Sequence, residues 1–178
     1  GDDQLQGDGG VNSLHGGLGT DHLVGGDGND LLIGDQGDDT MQGGRGDDMF
    51  DTNWIEGTSG EQTSVWTVGR DIIDGDVGTD TVGYNHLTRG VTANAMSAVP
   101  SGGSRDEFRD IEVLMLSEGD DVFSGGPGFD FTVQGLRGHD QIDVAHDASR
   151  SHNQRVYCGP GEDQASIDVN VNPNDSGA

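Results

Sequence analysis

Oxygen donors recur at a fixed interval along the first third of this chain. Asp3, Asn12, Asp21, Asp30, Asp39 and Asp48 stand nine residues apart. Two positions after each comes an apolar residue: Leu5, Leu14, Leu23, Leu32, Met41 and Phe50. Glycines keep the same step, at Gly7, Gly16, Gly25, Gly34 and Gly43, and again at Gly1, Gly10, Gly19, Gly28, Gly37 and Gly46. Glycine accepts positive φ, so a six-residue segment can turn tightly with its carbonyls directed inward. Carboxylate plus main-chain carbonyl is the donor set of a hard cation, and Ca²⁺ takes about six to eight such oxygens in flexible geometry. One turn offers roughly half that shell, and two stacked turns complete it.

The elements that must position these donors follow from the same spacing. Gly16-Gly17-Leu18-Gly19-Thr20-Asp21-His22-Leu23-Val24 is one clean unit, Gly25 to Ile33 the next and Gly43 to Asp51 another. Gly34 to Gln42 carries Asp35 in place of the second glycine. Positions one to six make the turn. Positions seven to nine are too short for a helix and suit a short strand whose middle side chain faces a core.

These units resemble the RTX, or hemolysin-type, calcium-binding nonapeptide, a repeat of parallel β-helical architecture. The resemblance implies an all-β fold, a right-handed parallel β-roll (a β-solenoid), with two nonapeptides per coil and each Ca²⁺ held between successive turns on one side. It implies as ligands the position-six residues Asp3, Asn12, Asp21, Asp30, Asp39 and Asp48, with Asn12 a weaker, neutral donor. It also implies the carbonyls of Gly7, Gly16, Leu18, Gly25, Asp27, Gly34, Gln36, Gly43 and Arg45. The six units would then hold about four ions.

The repeat returns in degenerate form after Phe50. Asp71, Asp80, Asp121, Asp130, Asp140 and Asp163 each occupy a position-six place and extend the expected ligand set. Val91 keeps the nine-residue step from Val82 without an aspartate turn before it. The intervals from Phe50 to Ile73, Val91 to Leu114 and Ile142 to Ala165 are equal, which suggests surface excursions from a continuous solenoid. The organisation expected is a regular roll over 1–51, a loop excursion over 52–68, a degenerate roll over 69–168 with excursions near 97–113 and 144–158, and a frayed tail over 169–178. Acids at position five, such as Asp38, Asp47 and Asp120, are expected to face solvent.

Composition sets the energetic problem. Only 30% of the 178 residues are hydrophobic, and the net charge is −25. That combination ordinarily leaves a chain disordered, because too little apolar surface is buried to offset conformational entropy. A strict period argues otherwise, since a linker needs no register. The acidity excludes nucleic acid and anionic membrane surfaces as partners, and no apolar run is long enough to insert into a bilayer. A single cysteine, Cys158, rules out an internal disulfide. Gly1 falls inside a unit, which suggests a piece of a longer chain.

Catalytic signatures are missing. There is no His-Glu-x-x-His, no Gly-x-Ser-x-Gly and no lysine for a phosphate loop. The chain is therefore expected not to be an enzyme, and Ca²⁺ is its expected cofactor. The leading reading is a secreted, extracellular or cell-surface structural roll that folds on binding calcium. Two alternatives stand beside it: a calcium-dependent filament or surface-layer subunit that stacks end to end, and an accessory C-terminal module of a type I-secreted enzyme, toxin or adhesin. Trp54, Trp66 and Tyr157 are the candidates for glycan contact from the excursions.

Overall fold

The computed structural model describes residues 1–51, 69–101, 103, 105–125, 131–144 and 155–167. The excursion 52–68, the expected ligand Asp130 and the tail 169–178 lie outside the described residues, as do Trp54 and Trp66. Every regular element described is a strand. The first eight are β1 (Gln4–Gln6), β2 (Ser13–Leu18), β3 (His22–Asp27), β4 (Leu31–Gln36), β5 (Thr40–Arg45), β6 (Met49–Asp51), β7 (Ile72–Val77) and β8 (Thr81–Gly83).

Odd and even strands separate into two sheets of parallel neighbours, so one coil of the roll consumes two units. The register places core residue on core residue. Leu5 lies beside Leu23, Leu23 beside Met41 and Met41 beside Ile73 in one sheet, with Leu14, Leu32, Phe50 and Val82 aligned in the other. Leu23, Leu32, Met41, Phe50, Ile73 and Val82 are fully buried. One side chain per unit is a thin core, and it explains how a chain this poor in apolar residues can still have an interior.

The middle of the chain departs from the simple winding. Three strands follow: β9 (Val91–Asn94), β10 (Ser97–Pro100) and β11 (Asp106–Arg109). β9 and β10 form an antiparallel hairpin, β10 pairs antiparallel with β11, and β11 continues the parallel stack on β7. Phe108, not Val91, therefore sits beside Ile73. This corrects two sequence expectations. Val91 does not take the next place on the stack, and residues 97–113 are not a surface excursion but supply sheet strands with Ala98 and Phe108 buried, and Ile111 is buried just after β11. The physical reason is local. No aspartate turn precedes Val91, and the Asn94 side chain instead closes a tight reversal by accepting the N–H groups of Met96 at 2.8 Å and Ser97 at 3.0 Å. Asn94→Ala is expected to cost about 1 kcal/mol, seen as a melting temperature lower by roughly 2–4 °C; an unchanged melt would show that the reversal is held by strand pairing alone.

The remaining strands are β12 (Val113–Met115), β13 (Val122–Gly125), β14 (Thr132–Gln134), β15 (Gln141–Val144), β16 (Arg155–Tyr157) and β17 (Gln164–Ile167). They restore parallel stacking: β12, β14 and β16 extend one sheet from β8, and β13, β15 and β17 extend the other from β9. The expected excursion 144–158 thus ends in a strand, with Val156 placed beside Val133. Phe123 and Phe131 stack at 5.6 Å and fill the core where the two sheets resume.

Candidate metal centres

The turns at both ends of the strands bring the position-six residues into line. Eight of these carboxylates accept a hydrogen bond at Oδ1 from the N–H of the position-six residue one coil back. The N–H of Asp3 donates to Asp21 at 2.7 Å, Asp21 to Asp39 at 2.8 Å and Asp39 to Asp71 at 3.1 Å. On the opposite side Asn12 donates to Asp30, Asp30 to Asp48 and Asp48 to Asp80, each at 2.8 Å. Farther along, Asp121 donates to Asp140 at 3.0 Å and Asp140 to Asp163 at 3.1 Å. One oxygen is thereby pinned to the backbone, which fixes where the other points.

That other oxygen has no protein partner. Oδ2 of Asp21, Asp30, Asp39, Asp48, Asp80 and Asp140 is buried without a hydrogen bond. Burying a carboxylate oxygen unpaired is expensive, so six repetitions in register require a common cause. The space in front of it belongs to the position-one glycine. A Cβ on Gly16 would lie 2.5 Å from Asp21 Oδ2 and 2.9 Å from the Gly34 carbonyl oxygen of the next coil. One on Gly25 would meet Asp30 Oδ2 and the Gly43 carbonyl, and one on Gly7 would meet Asn12 Oδ1 and the Gly25 carbonyl. The cradles of Gly75 and Gly135 pair Asp80 with the Asp110 carbonyl and Asp140 with the Cys158 carbonyl. At Gly34 and Gly43 the nearest group is again the turn's own aspartate, Asp39 and Asp48.

Electrostatics mark four of these places. Burial, opposed by the hydrogen bond from Asp21 N–H and reinforced by Asp21, Asp35 and Asp38, pushes the Asp39 carboxyl up to about 6. Burial likewise raises Asp80 to about 7 and raises Asp48 and Asp140. Asp71, buried and facing Asp106, is pushed to about 9. A divalent cation would relieve these penalties, and the donors suit one kind. No three carboxylate, imidazole or thiol groups converge among the described residues. Each cradle therefore offers one carboxylate with main-chain carbonyls, an all-oxygen set that fits Ca²⁺ and not a thiolate- or imidazole-seeking metal.

Other expected ligands stand differently. Asp3 is exposed at the end of its stack. Asn12 Oδ1 accepts the N–H of Asp8 in its own turn at 2.7 Å. Both oxygens of Asp121 are held by protein: Oδ1 accepts from Val91 N–H at 2.6 Å and the Ser117 hydroxyl at 2.5 Å, and Oδ2 from Ser117 N–H at 3.0 Å. Its position-one residue is Leu116, fully buried where other turns have glycine. Asp163 has Cys158 at that place. Among the carbonyls, those of Gln36 and Arg45 accept N–H groups from Gly19 and Gly28, and that of Leu18 accepts from the terminal ammonium of Gly1.

Two acids missing from the sequence reading join the ladders. Asp71 N–H donates to Asp106 Oδ1 at 3.1 Å, and Asp80 N–H to Glu112 Oε2 at 2.9 Å. Their signal was available: each stands two residues before a buried core residue, Phe108 and Leu114. The position-five groups make a further ladder in the opposite sense. Asp2 accepts from Thr20 N–H, Asn29 from Asp47, Asp38 from Arg70, Asp47 from Thr79 and Asp120 from His139, at 2.9–3.1 Å. Asp38, Asp47 and Asp120 are exposed, yet they stitch coil to coil.

The sequence family described as the RTX calcium-binding nonapeptide repeat matches the chain four times, over residues 1–23, 15–50, 67–82 and 113–132. No curated protein matches it. The first three matched segments carry the glycine–aspartate turns just described, and the fourth carries the Leu116–Asp121 turn, stacked in register on the two sheets. The chain carries the RTX calcium-binding nonapeptide repeat in these four segments.

Proposed function

We propose that this chain is a secreted structural module whose fold is completed when Ca²⁺ enters the glycine cradles. The observation that carries the reading is the recurrent buried, unpaired Oδ2 facing a glycine and, at several turns, a carbonyl of the next coil. Asp21, Asp30, Asp39, Asp48, Asp80 and Asp140 would each bind an ion through Oδ2, with the carbonyls of Gly25, Gly34, Gly43, Asp110 and Cys158 completing shells between coils. Asn12 would contribute a neutral oxygen. The ion supplies positive charge between carboxylates that otherwise repel. What the chain does is hold each carboxylate in place through the Oδ1 ladder, keep the position-one site clear and exclude bulk water by stacking. The acids are committed to this lattice, so the role is structural rather than catalytic. Millimolar extracellular calcium suits sites of this rigidity, whereas a low-calcium cytosol would leave them empty.

Counting bound ions tests the reading. Native mass spectrometry of the calcium-loaded chain should show several Ca²⁺, and Asp30→Ala should remove at least one and raise the calcium midpoint for folding about tenfold. Mg²⁺, which demands near-octahedral geometry, should not substitute at equal concentration. A chain that binds no calcium at millimolar concentration, or an Asp30→Ala variant with an unchanged count and midpoint, would rule it out.

A further inference from the structure

Each cradle solves one problem, an unpaired buried carboxylate oxygen, by leaving room for a cation. Two buried carboxylates in the middle of the chain solve the same problem without one. Asp106 continues the ladder from Asp71, and its Oδ2 accepts the Tyr84 hydroxyl at 2.7 Å. Tyr84 is fully buried. Asp121 has every oxygen satisfied by Val91 N–H and by the hydroxyl and N–H of Ser117. Leu116 fills the position that glycine leaves open elsewhere.

The packing of this section differs as well. Ten buried core side chains fall within residues 84–123, among them Tyr84, Leu87, Phe108, Ile111, Leu116 and Phe123, against six in the described part of 1–83. Its strands also include the antiparallel pairs found among the described residues, β9 with β10 and β10 with β11. Antiparallel hairpin pairing is local in sequence and needs no loop of metal ligands to close it. Here, then, are a denser core, two satisfied buried carboxylates and local pairing together, conditions that favour a segment holding its fold unaided, with Asn85 Oδ1 the one buried side-chain oxygen left unpaired among the described residues of the section.

On the reading of the cradles as calcium sites, we propose that residues 84–123 are a calcium-independent section of the roll. Tyr84 and Ser117 supply the donors that calcium supplies elsewhere, and the section serves as the fixed template on which two calcium-dependent arms assemble. The arms meet it directly. β7 of the N-terminal arm pairs with β11, the Asp110 carbonyl closes the cradle of Gly75 and Asp80, and β13 leads on to β15 beside the cradle of Gly135 and Asp140. Calcium withdrawal would loosen the chain from both ends and leave its middle standing.

Hydrogen exchange on the full chain, read by peptide, tests this. In chelator at neutral pH, peptides from 84–123 should exchange at least tenfold more slowly than those from 1–50, and millimolar Ca²⁺ should slow 1–50 and 135–144 while changing 84–123 little. Tyr84→Phe leaves Asp106 Oδ2 without its donor and should speed calcium-free exchange in 84–123 by roughly ten- to a hundredfold, with the bound-ion count unchanged. Ser117→Ala should act the same way around Asp121. Exchange of 84–123 as fast as 1–50 in chelator overturns the proposal, as does a Tyr84→Phe variant with unaltered calcium-free exchange. Protection of 84–123 together with no calcium response in 1–50 would support it and would instead overturn the calcium reading of the cradles.

Discussion

In a calcium chelator at pH 8 the chain is expected to lose most of its strand circular dichroism, and to regain a substantial part of it when the same calcium-free sample is brought to pH 5. Both halves follow from the buried carboxylates. The chain carries a net charge of −25, and stacking coils brings the position-six acids into two files, six of them with a buried, unpaired Oδ2. Without a counter-charge, this array opposes the compact state. The pH effect has a definite sign. In the fold, Asp39, Asp106 and Asp121 are raised to about 6, Asp80 to about 7 and Asp71 to about 9, in each case chiefly by burial. The unfolded chain releases these protons near 3.9. The fold thus holds protons more tightly than the unfolded chain does, and the stability so gained is fully present below about pH 4 and is lost as pH rises through 6 to 9. At pH 5 the raised groups are protonated and neutral. Calcium inverts the dependence at the cradles, because at Asp39 and Asp80 the ion displaces the proton and binds more tightly as pH rises. Circular dichroism across pH 5–8 with and without calcium should therefore give opposite slopes. A chelated chain more folded at pH 8 than at pH 5 would show that the apo carboxylates are not the obstacle.

How much of this was legible in the sequence depended on whether the signal was periodic or contextual. Asp21, Leu23 and Gly16 repeat at fixed offsets, so a short strand, a buried side chain and an oxygen-lined turn could all be read from one unit, and their stacking from the period. The hairpin of β9 and β10 could not. Val91 happens to keep step with Val82, and the reversal rests on one side chain, Asn94, whose two accepted hydrogen bonds leave no pattern. Asp106 and Glu112 escaped because no glycine turn announces them, although both hold the acid-to-core spacing. Asp121 reads in sequence like Asp140. What separates them is position one, Leu116 in one turn and Gly135 in the other. A leucine brings a Cβ to the place that a cation would need, and Ser117 then satisfies the carboxylate instead. Leu136 shows the reverse case: a branched residue held at φ +65 in position two, where sequence preference would ask for glycine, beside a cradle that is intact.

Filling a cradle should therefore cost far more than straining a turn, and two alanine substitutions separate the effects. On Gly25 a Cβ would fall between Asp30 Oδ2 and the Gly43 carbonyl oxygen, 2.6 Å from the latter. On Gly17, at φ +94, it would have no atom within 4 Å. Gly17→Ala pays only for a left-handed backbone, about 1–2 kcal/mol. Gly25→Ala removes the room for the ion while Asp30 stays buried, and an uncompensated buried charge costs about 3–5 kcal/mol. The expected result is that Gly25→Ala loses at least one bound Ca²⁺ and unfolds at a much lower denaturant concentration in saturating calcium. Gly17→Ala should keep the full ion count with a small shift. Raising calcium further should not rescue Gly25→Ala, because the loss is of space and not of affinity alone. Equal stability of the two variants with equal ion counts would mean that the position-one glycines serve the turn and not the metal. Since the same geometry recurs at Gly16, Gly75 and Gly135, and the aspartate contact alone at Gly34 and Gly43, alanine at each should remove binding locally. The Leu116 turn, already filled and already satisfied by Ser117, marks what such a site becomes when the chain supplies the donors itself.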